Sequence, residues 1–319
     1  MFNHILVPLD GSTLAESVFP HVTAIATAMN ARITLMHVLE RSQSKIGNLP
    51  IDPVGWHMQK HESQLYMEQS AERLQETGLA TTYTIVEGNP AESIIEYARS
   101  NEVDLIILST HGRTGLSGWN VSSVVQKILL RSFKSILLVR AYGSVVEPES
   151  GYKRLFIGTD GSARAEYILP TAVHLAQFYN SELIIGTVVQ KPQTAQRLPL
   201  SEKEIKLIDQ LTAKNEKAAT HYLEQLVTPF SLKGLTVTTR IVVAENVIST
   251  LYDMVEESQA DLVMLVAHGQ SGERRWAYGS ITTSLIAYGS TPLLIVQDLS
   301  ENDVPPTHAE RAVREGKGH

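Results

Sequence analysis

Two aspartates stand at matching places in this chain. Asp10 closes the apolar run of "ILVPLDGS" (5–12), and Asp160 closes that of "LFIGTDGS" (155–162). An aspartate there can accept hydrogen bonds from a sugar or a base edge, although Asp-Gly-Ser is also an ordinary turn and helix cap. Further on lie "STHGRTGLSGWNVSSVV" (109–125) and "VAHGQSGERRWAYGSIT" (266–282). Each contains His-Gly, a nine-residue gap and a small pair, Ser122-Ser123 or Gly279-Ser280. A small pair that opens a helix offers free backbone amides at the positive end of the helix dipole, and both attract phosphate. Ser123 and Ser280 can add hydroxyls, and glycine lets a ligand approach the backbone closely.

Other residues of chemical interest carry plainer readings. His111 and His268 follow apolar runs and read as loop hydrogen-bonding groups. No Ser or Cys partner and no carboxylate triad is spaced for nucleophilic catalysis, so no catalytic residue is assigned. Trp119 and Trp276, seven residues after Gly112 and Gly269, read as packing under the loop. Arg113 can meet a phosphate or solvent, and its counterpart Gln270 lacks the charge. His57 and His61 have the spacing of a helical metal pair, but no Glu follows the first and no third ligand is evident. They are assigned to a surface helix, and no metal site is assigned. The "ERR" at 273–275 can steer a polyphosphate or simply solvate a loop. No GK[ST] segment points to a P-loop ATPase.

The elements that must position these residues occur twice. Asp10, Gly11, Ser12, Glu16, Pro20, Asn30 and Val38 recur 150 positions later as Asp160, Gly161, Ser162, Glu166, Pro170, Asn180 and Val188. At the His-Gly segments the offset is 157. Each copy is long enough to be a domain. Short Ile/Leu/Val-rich runs, such as "HILVPLD", "VDLIILST" and "ADLVMLVA", alternate with helical patterns. That alternation predicts an α/β fold with a parallel sheet covered on both faces. In such sheets ligands sit beyond the carboxyl ends of strands at a switch point, where the Asp and His-Gly segments would meet. Pro20 and Pro170 fall inside the first predicted helices and are expected to bend them. The domains are expected over 1–141 and 152–298, joined by a linker within 141–153. Residues 40–56 are expected as a long loop and 299–319 as a disordered tail.

The 319 residues, 43% apolar and 19% charged, suit about two globular domains. A formal net charge of −7 argues against a nucleic-acid surface. The absence of cysteine excludes disulfides and thiol chemistry. Neither a signal peptide nor a run long enough to span a bilayer is evident, so a cytoplasmic protein without membrane insertion is expected.

"ILVPLDGS", "GNPAESI" and "DLIILSTHGRTGLS" resemble signature segments of the universal stress protein family, and the resemblance covers both halves. It implies the tandem form, two doubly wound domains each with a five-stranded parallel sheet in the order 3-2-1-4-5. It also implies pairing of the fifth strands as an internal pseudo-dimer. Many members bind ATP through Gly, two residues, Gly, nine residues and Gly-Ser/Thr. The resemblance thus implies ATP or another adenine nucleotide, with Mg²⁺ on the phosphates, in a stress-response regulatory protein. The implied first-half site is Pro8, Asp10, Val38, Ser109, Gly112, Arg113, Ser122 and Ser123. The second is Gly158, Asp160, Val188, Val266, Gly269, Gly279 and Ser280. The aspartates would face the adenosine, and Val38, Val188 and the Pro8/Gly158 position the base. Two glycines of the motif are serine in the first half (Ser109, Ser122), and one is the branched Val266 in the second. Two alternatives stand beside this reading, a scaffold with degenerate pockets and a slow nucleotide hydrolase. A further homo-oligomer is left open.

Overall fold

In a computed structural model, residues 1–40, 53–111, 121–140, 151–192, 201–231, 233–269 and 277–299 are described. The first half runs β1 (His4–Pro8), α1 (Thr13–Glu16), α2 (Phe19–Met29), β2 (Arg32–Leu39), α3 (Pro53–Gln75), β3 (Thr81–Glu87), α4 (Pro90–Ser100), β4 (Leu105–Ser109), α5 (Ser123–Arg131) and β5 (Ser135–Val139). The second half runs β6 (Arg154–Gly158), a 3₁₀ turn (Ala165–Ile168), α6 (Leu169–Tyr179), β7 (Glu182–Gln190), α7 (Glu202–Ser231), β8 (Val237–Ala244), α8 (Val247–Ser258), β9 (Leu262–Val266), α9 (Ser280–Tyr288) and β10 (Leu293–Val296).

The ten strands of the described residues form one sheet in the order β3-β2-β1-β4-β5-β10-β9-β6-β7-β8. Each half is parallel and has the expected 3-2-1-4-5 order. The halves meet where β10 pairs with β5 antiparallel, Leu294 opposite Leu137. Every residue of β4, β5, β9 and β10 is buried, which is why these strands read as unbroken apolar runs. One sheet face is covered by α2, α3, α6 and α7, the other by α4, α5, α8 and α9.

The expected bend at Pro20 and Pro170 is corrected by the structure. Each proline is the second residue of α2 or α6, after a separate short turn (α1 or the 3₁₀ turn). At a helix start the missing amide has no partner to lose, so proline marks a fresh start there. Asn30 and Asn180 end α2 and α6 in the left-handed region, at φ 52° and 54°.

The two cores solve one packing problem differently. Met36 lies beside Pro8 and Gly186 beside Gly158, so Met36 and Gly186 are register equivalents. Met36 is buried with Leu6 in the first half. In the second half Phe156 replaces Leu6, and a Cβ on Gly186 would lie 2.6 Å from Phe156 Cζ. The larger ring takes the space that the glycine gives up.

Side chains stitch the halves beyond the strand pair. The Tyr179 hydroxyl donates to the Ala24 carbonyl (2.6 Å), and His174 Nε2 to that of Ala28 (2.7 Å). Arg140, from the end of β5, donates to the Leu285 and Ile286 carbonyls at the close of α9 (2.6 and 2.9 Å). A cation suits that end of a helix. Burial brings the Arg140 guanidinium down to about 10, so it stays charged at neutral pH.

Arg140→Ala should therefore destabilise the chain by about 2 kcal/mol in urea unfolding, through the two lost charged hydrogen bonds. A second prediction concerns His4, a buried residue bonded to the Asn101 carbonyl and the Thr34 hydroxyl. Burial holds its imidazole below the ordinary value; the Asn101 carbonyl opposes the shift, and Arg32 adds to it. The folded state thus favours neutral His4, while the unfolded chain takes up a proton below about pH 6.5. Stability should fall as pH drops through that point, and His4→Gln should flatten the slope between pH 7 and pH 5.

Candidate functional site

In the second half the site is built where β6 and β9 lie side by side and end together. After β6 the chain turns at Gly161, with φ +75°. The turn is closed by Asp160 Oδ1, which accepts from the Ser162 amide (3.0 Å), and by Ser162 Oγ, which accepts from that of Ala165 (3.1 Å). The Asp160 carboxylate also packs on the bare Cα of Gly269, where any Cβ would overlap its Oδ2. Gly279 is the N-cap of α9, in extended backbone, and its amide donates to the Ala267 carbonyl (2.8 Å). No side chain among the described residues caps α9. The glycine stands clear, since a Cβ there would find its nearest neighbour, the Ala267 carbonyl, 3.7 Å away.

These pieces surround a cavity of about 130 Å³. Its lining includes all seven second-half residues singled out above, from Gly158 to Ser280, and Gly186, Val247, Leu251 and Leu265 add an apolar wall. One end is thus a carboxylate and a helix start, and the other is hydrocarbon. A wider hollow of about 950 Å³ lies among Asn3, Arg32, Arg99 and Lys134, at the amino ends of the first-half strands. None of the implied site residues lines it, so the smaller cavity is the better candidate.

The sequence model of the universal stress protein family matches residues 1–140 and 151–297. The chain belongs to the universal stress protein family. Universal stress protein MJ0577 of Methanocaldococcus jannaschii is 30% identical over 159 residues, which span 45% of this chain and 98% of the relative. Universal stress protein Rv2005c of Mycobacterium tuberculosis is 21% identical over 305 residues, 92% of this chain and 96% of that one. A crystal structure of a universal stress protein from Archaeoglobus fulgidus superposes with a TM-score of 0.67 at 17% identity, covering 93% and 99% of the two chains. This full-length likeness is one of fold and bears out the tandem form.

The first half of this universal stress protein repeats the frame with different chemistry. Pro8 ends β1, and Asp10 Oδ1 accepts from the Ser12 amide (3.0 Å) and hydroxyl (2.6 Å). The Ser122 amide donates to the Thr110 carbonyl (3.0 Å), as Gly279 does to Ala267. Ser122, however, caps its own helix, its Oγ accepting from the Val125 amide (3.3 Å). Ser109 is buried, and its hydroxyl has no hydrogen-bond partner among the described residues. Val38 lines β2 half-buried, and Ser123 opens α5 exposed. His57 and His61 lie exposed on α3. Gly112, Arg113, Trp119, Gln270, Trp276 and the 273–275 run lie outside the described residues. So do most of the linker, most of the 40–56 loop, and the tail beyond 299.

Two features escaped the sequence reading. His268 Nδ1 donates to Asp298 Oδ1 (2.8 Å), and Arg164 Nη2 meets Asp298 Oδ2 (2.9 Å). A carboxylate therefore does stand behind His268. The signal was positional, since Val266 pairs with Val296 and the residues two beyond each strand end lie together. The second is a tyrosine from the long helix of each half. The Tyr222 hydroxyl donates to Glu166 Oε1 (3.1 Å). Burial first, then Glu166 and Asp160, pushes that hydroxyl up to about 12. Burial chiefly, with Glu16, also pushes Tyr66 well up.

The glycines of the second site should answer differently to one methyl group. Gly269→Ala must displace the Asp160 carboxylate and should lower stability by about 1–3 kcal/mol. Gly279→Ala should cost under ~1 kcal/mol, the loss of a tolerable N-cap. Parallel thermal and urea unfolding of the two variants checks the contrast.

Proposed function

We propose that this universal stress protein binds an adenine nucleotide beyond the carboxyl ends of β6 and β9, and that occupancy sets the state of a regulatory protein. The observation that carries the reading is the bare start of α9 beside Asp160 and an apolar wall. Phosphates suit the amides after Gly279 and the Ser280 hydroxyl, because a helix start without its own cap favours an anion. Asp160 suits the ribose hydroxyls, as an acceptor held in place by its turn. Val188, Leu251 and Leu265 suit the flat face of a base. Mg²⁺ enters with the phosphates, since it binds largely through substrate phosphates and water.

In this reading residues 1–141 and 152–298 are the two functional units, joined as an internal pseudo-dimer through their fifth strands. The first unit offers the same nucleotide Pro8, Val38, Asp10, Ser109, Gly112, Arg113 and the Ser122-Ser123 start of α5. Ser122 already occupies an amide that phosphate would use. The second unit is therefore the stronger site.

The test is to denature freshly purified protein and identify released nucleotide by chromatography and mass, with its ratio to chain. Equilibrium dialysis with Mg-ATP then fills any vacant sites. We expect adenine nucleotide bound, a Tm that rises with ligand by mass action, and a loss of at least half the bound nucleotide in Gly279→Arg. No nucleotide released, none taken up at millimolar Mg-ATP and an unmoved Tm would overturn the reading.

A further inference from the structure

The Asp298 contacts raise a question apart from nucleotide binding itself, how the loops of the second crevice are held in place. Asp298 follows β10, and its side chain is only 5% exposed; that of His268 is fully buried. A buried carboxylate needs partners, and this one has two, on two other loops. Arg164 follows the Asp160-Gly161-Ser162 turn, and His268 directly precedes Gly269. These are the two segments that bring the Asp160 carboxylate against the Gly269 Cα. A carboxylate oxygen only accepts, so the His268 proton must sit on Nδ1, which fixes the ring's orientation.

The third wall is tied in through the neighbouring residue. Gln297 Oε1 accepts from the Asp298 and Leu299 amides (3.1 and 3.2 Å), and Gln297 Nε2 donates to the Ala277 carbonyl (3.4 Å), two residues before Gly279. The Gln297 amide donates to Ser135 Oγ of the first half (3.2 Å). Asp298 is thus held from the seam and holds two loops of the crevice.

Among the described residues the first half shows no such device. By the repeat offsets of the sequence, Ala141 stands where Asp298 does and Leu14 where Arg164 does. His111 is retained, but its Nδ1 turns to the Thr110 hydroxyl next to it (3.1 Å).

We propose that Asp298 is a positioning residue that presets the second crevice, so that the two crevices bind the same nucleotide with unequal affinity, the second more tightly. Preset loops spare a ligand the cost of ordering them. The affinity part rests on the nucleotide reading above, while the positioning part does not.

The experiment compares the parent with Asp298→Ala and Asp298→Asn in two backgrounds. Ser122→Arg leaves the second crevice open, and Gly279→Arg leaves the first. Mg-ATP affinity is measured by calorimetry, and amide exchange by mass spectrometry over 159–169, 266–269 and, as an internal control, 105–111. The buried, hydrogen-bonded His268 Nδ1–H is followed by nitrogen-15 NMR. In Asp298→Ala we expect second-crevice affinity to fall about tenfold, exchange at 266–269 to quicken and the imidazole proton signal to vanish. First-crevice affinity and the control exchange should stay put. Asp298→Asn keeps an acceptor for His268 but no charge for Arg164, so it should fall between, and it serves if the alanine variant does not fold. Unchanged exchange and imidazole signal would overturn the positioning role, as would equal losses in both halves. Equal parent affinities in the two backgrounds would overturn the inequality. If the parent binds no nucleotide in either background, the nucleotide reading and the inequality fall together, and exchange and NMR still decide the role of Asp298.

Discussion

Everything in this molecule hangs on the antiparallel contact between β5 and β10. Two parallel sheets, each ending in a strand whose every residue is buried, would leave two apolar edges if they stood apart. An open edge of that kind invites pairing with any strand that comes near. Here each edge is closed by the other, over Ile136–Leu138 and Leu293–Ile295. Fusion on one chain keeps the partner at high effective concentration. Both helical layers then run on across the junction, which is why α2 meets α6 and why Arg140 can reach the end of α9.

Duplication within one chain frees each copy to change while its twin keeps the frame. The exchange of Leu6 and Met36 for Phe156 and Gly186 enlarges one side chain and removes the other, and Gly186 lines the cavity of the second half. Ser122 for Gly279 moves polarity in the same manner. The first helix start satisfies itself, and the second is left for something else to satisfy. Small residues at the same motif position therefore serve opposite ends.

Much of this was legible in the residues. Buried parallel strands leave apolar runs, and the repeat reports which elements correspond, so the parallel α/β fold and the place of the aspartates, Gly269 and Gly279 after their strands could be read directly, while the strand order came from the family resemblance. Pro20 was misread because the apolar pattern of residues 14–29 runs on without a gap; only the backbone shows that one helix ends and another begins there. Asp298 was invisible for a different reason. Its link to His268 follows from register between β9 and β10, thirty residues apart, and the twin half has alanine in its place. Comparing the copies shows what they share, and this aspartate is not shared. Tyr222 was hidden by α7, whose 30 residues against 23 in α3 blur the alignment of the two copies.

The antiparallel junction also has a directional result. Because β5 and β10 run in opposite senses, the strands of the first half finish on one long edge of the sheet and those of the second half on the other. Asp10 and Asp160 therefore look away from each other. A body resting on one edge covers a single crevice and leaves its twin in open solvent. The two strand ends that carry these aspartates are thus reached from opposite edges of one sheet.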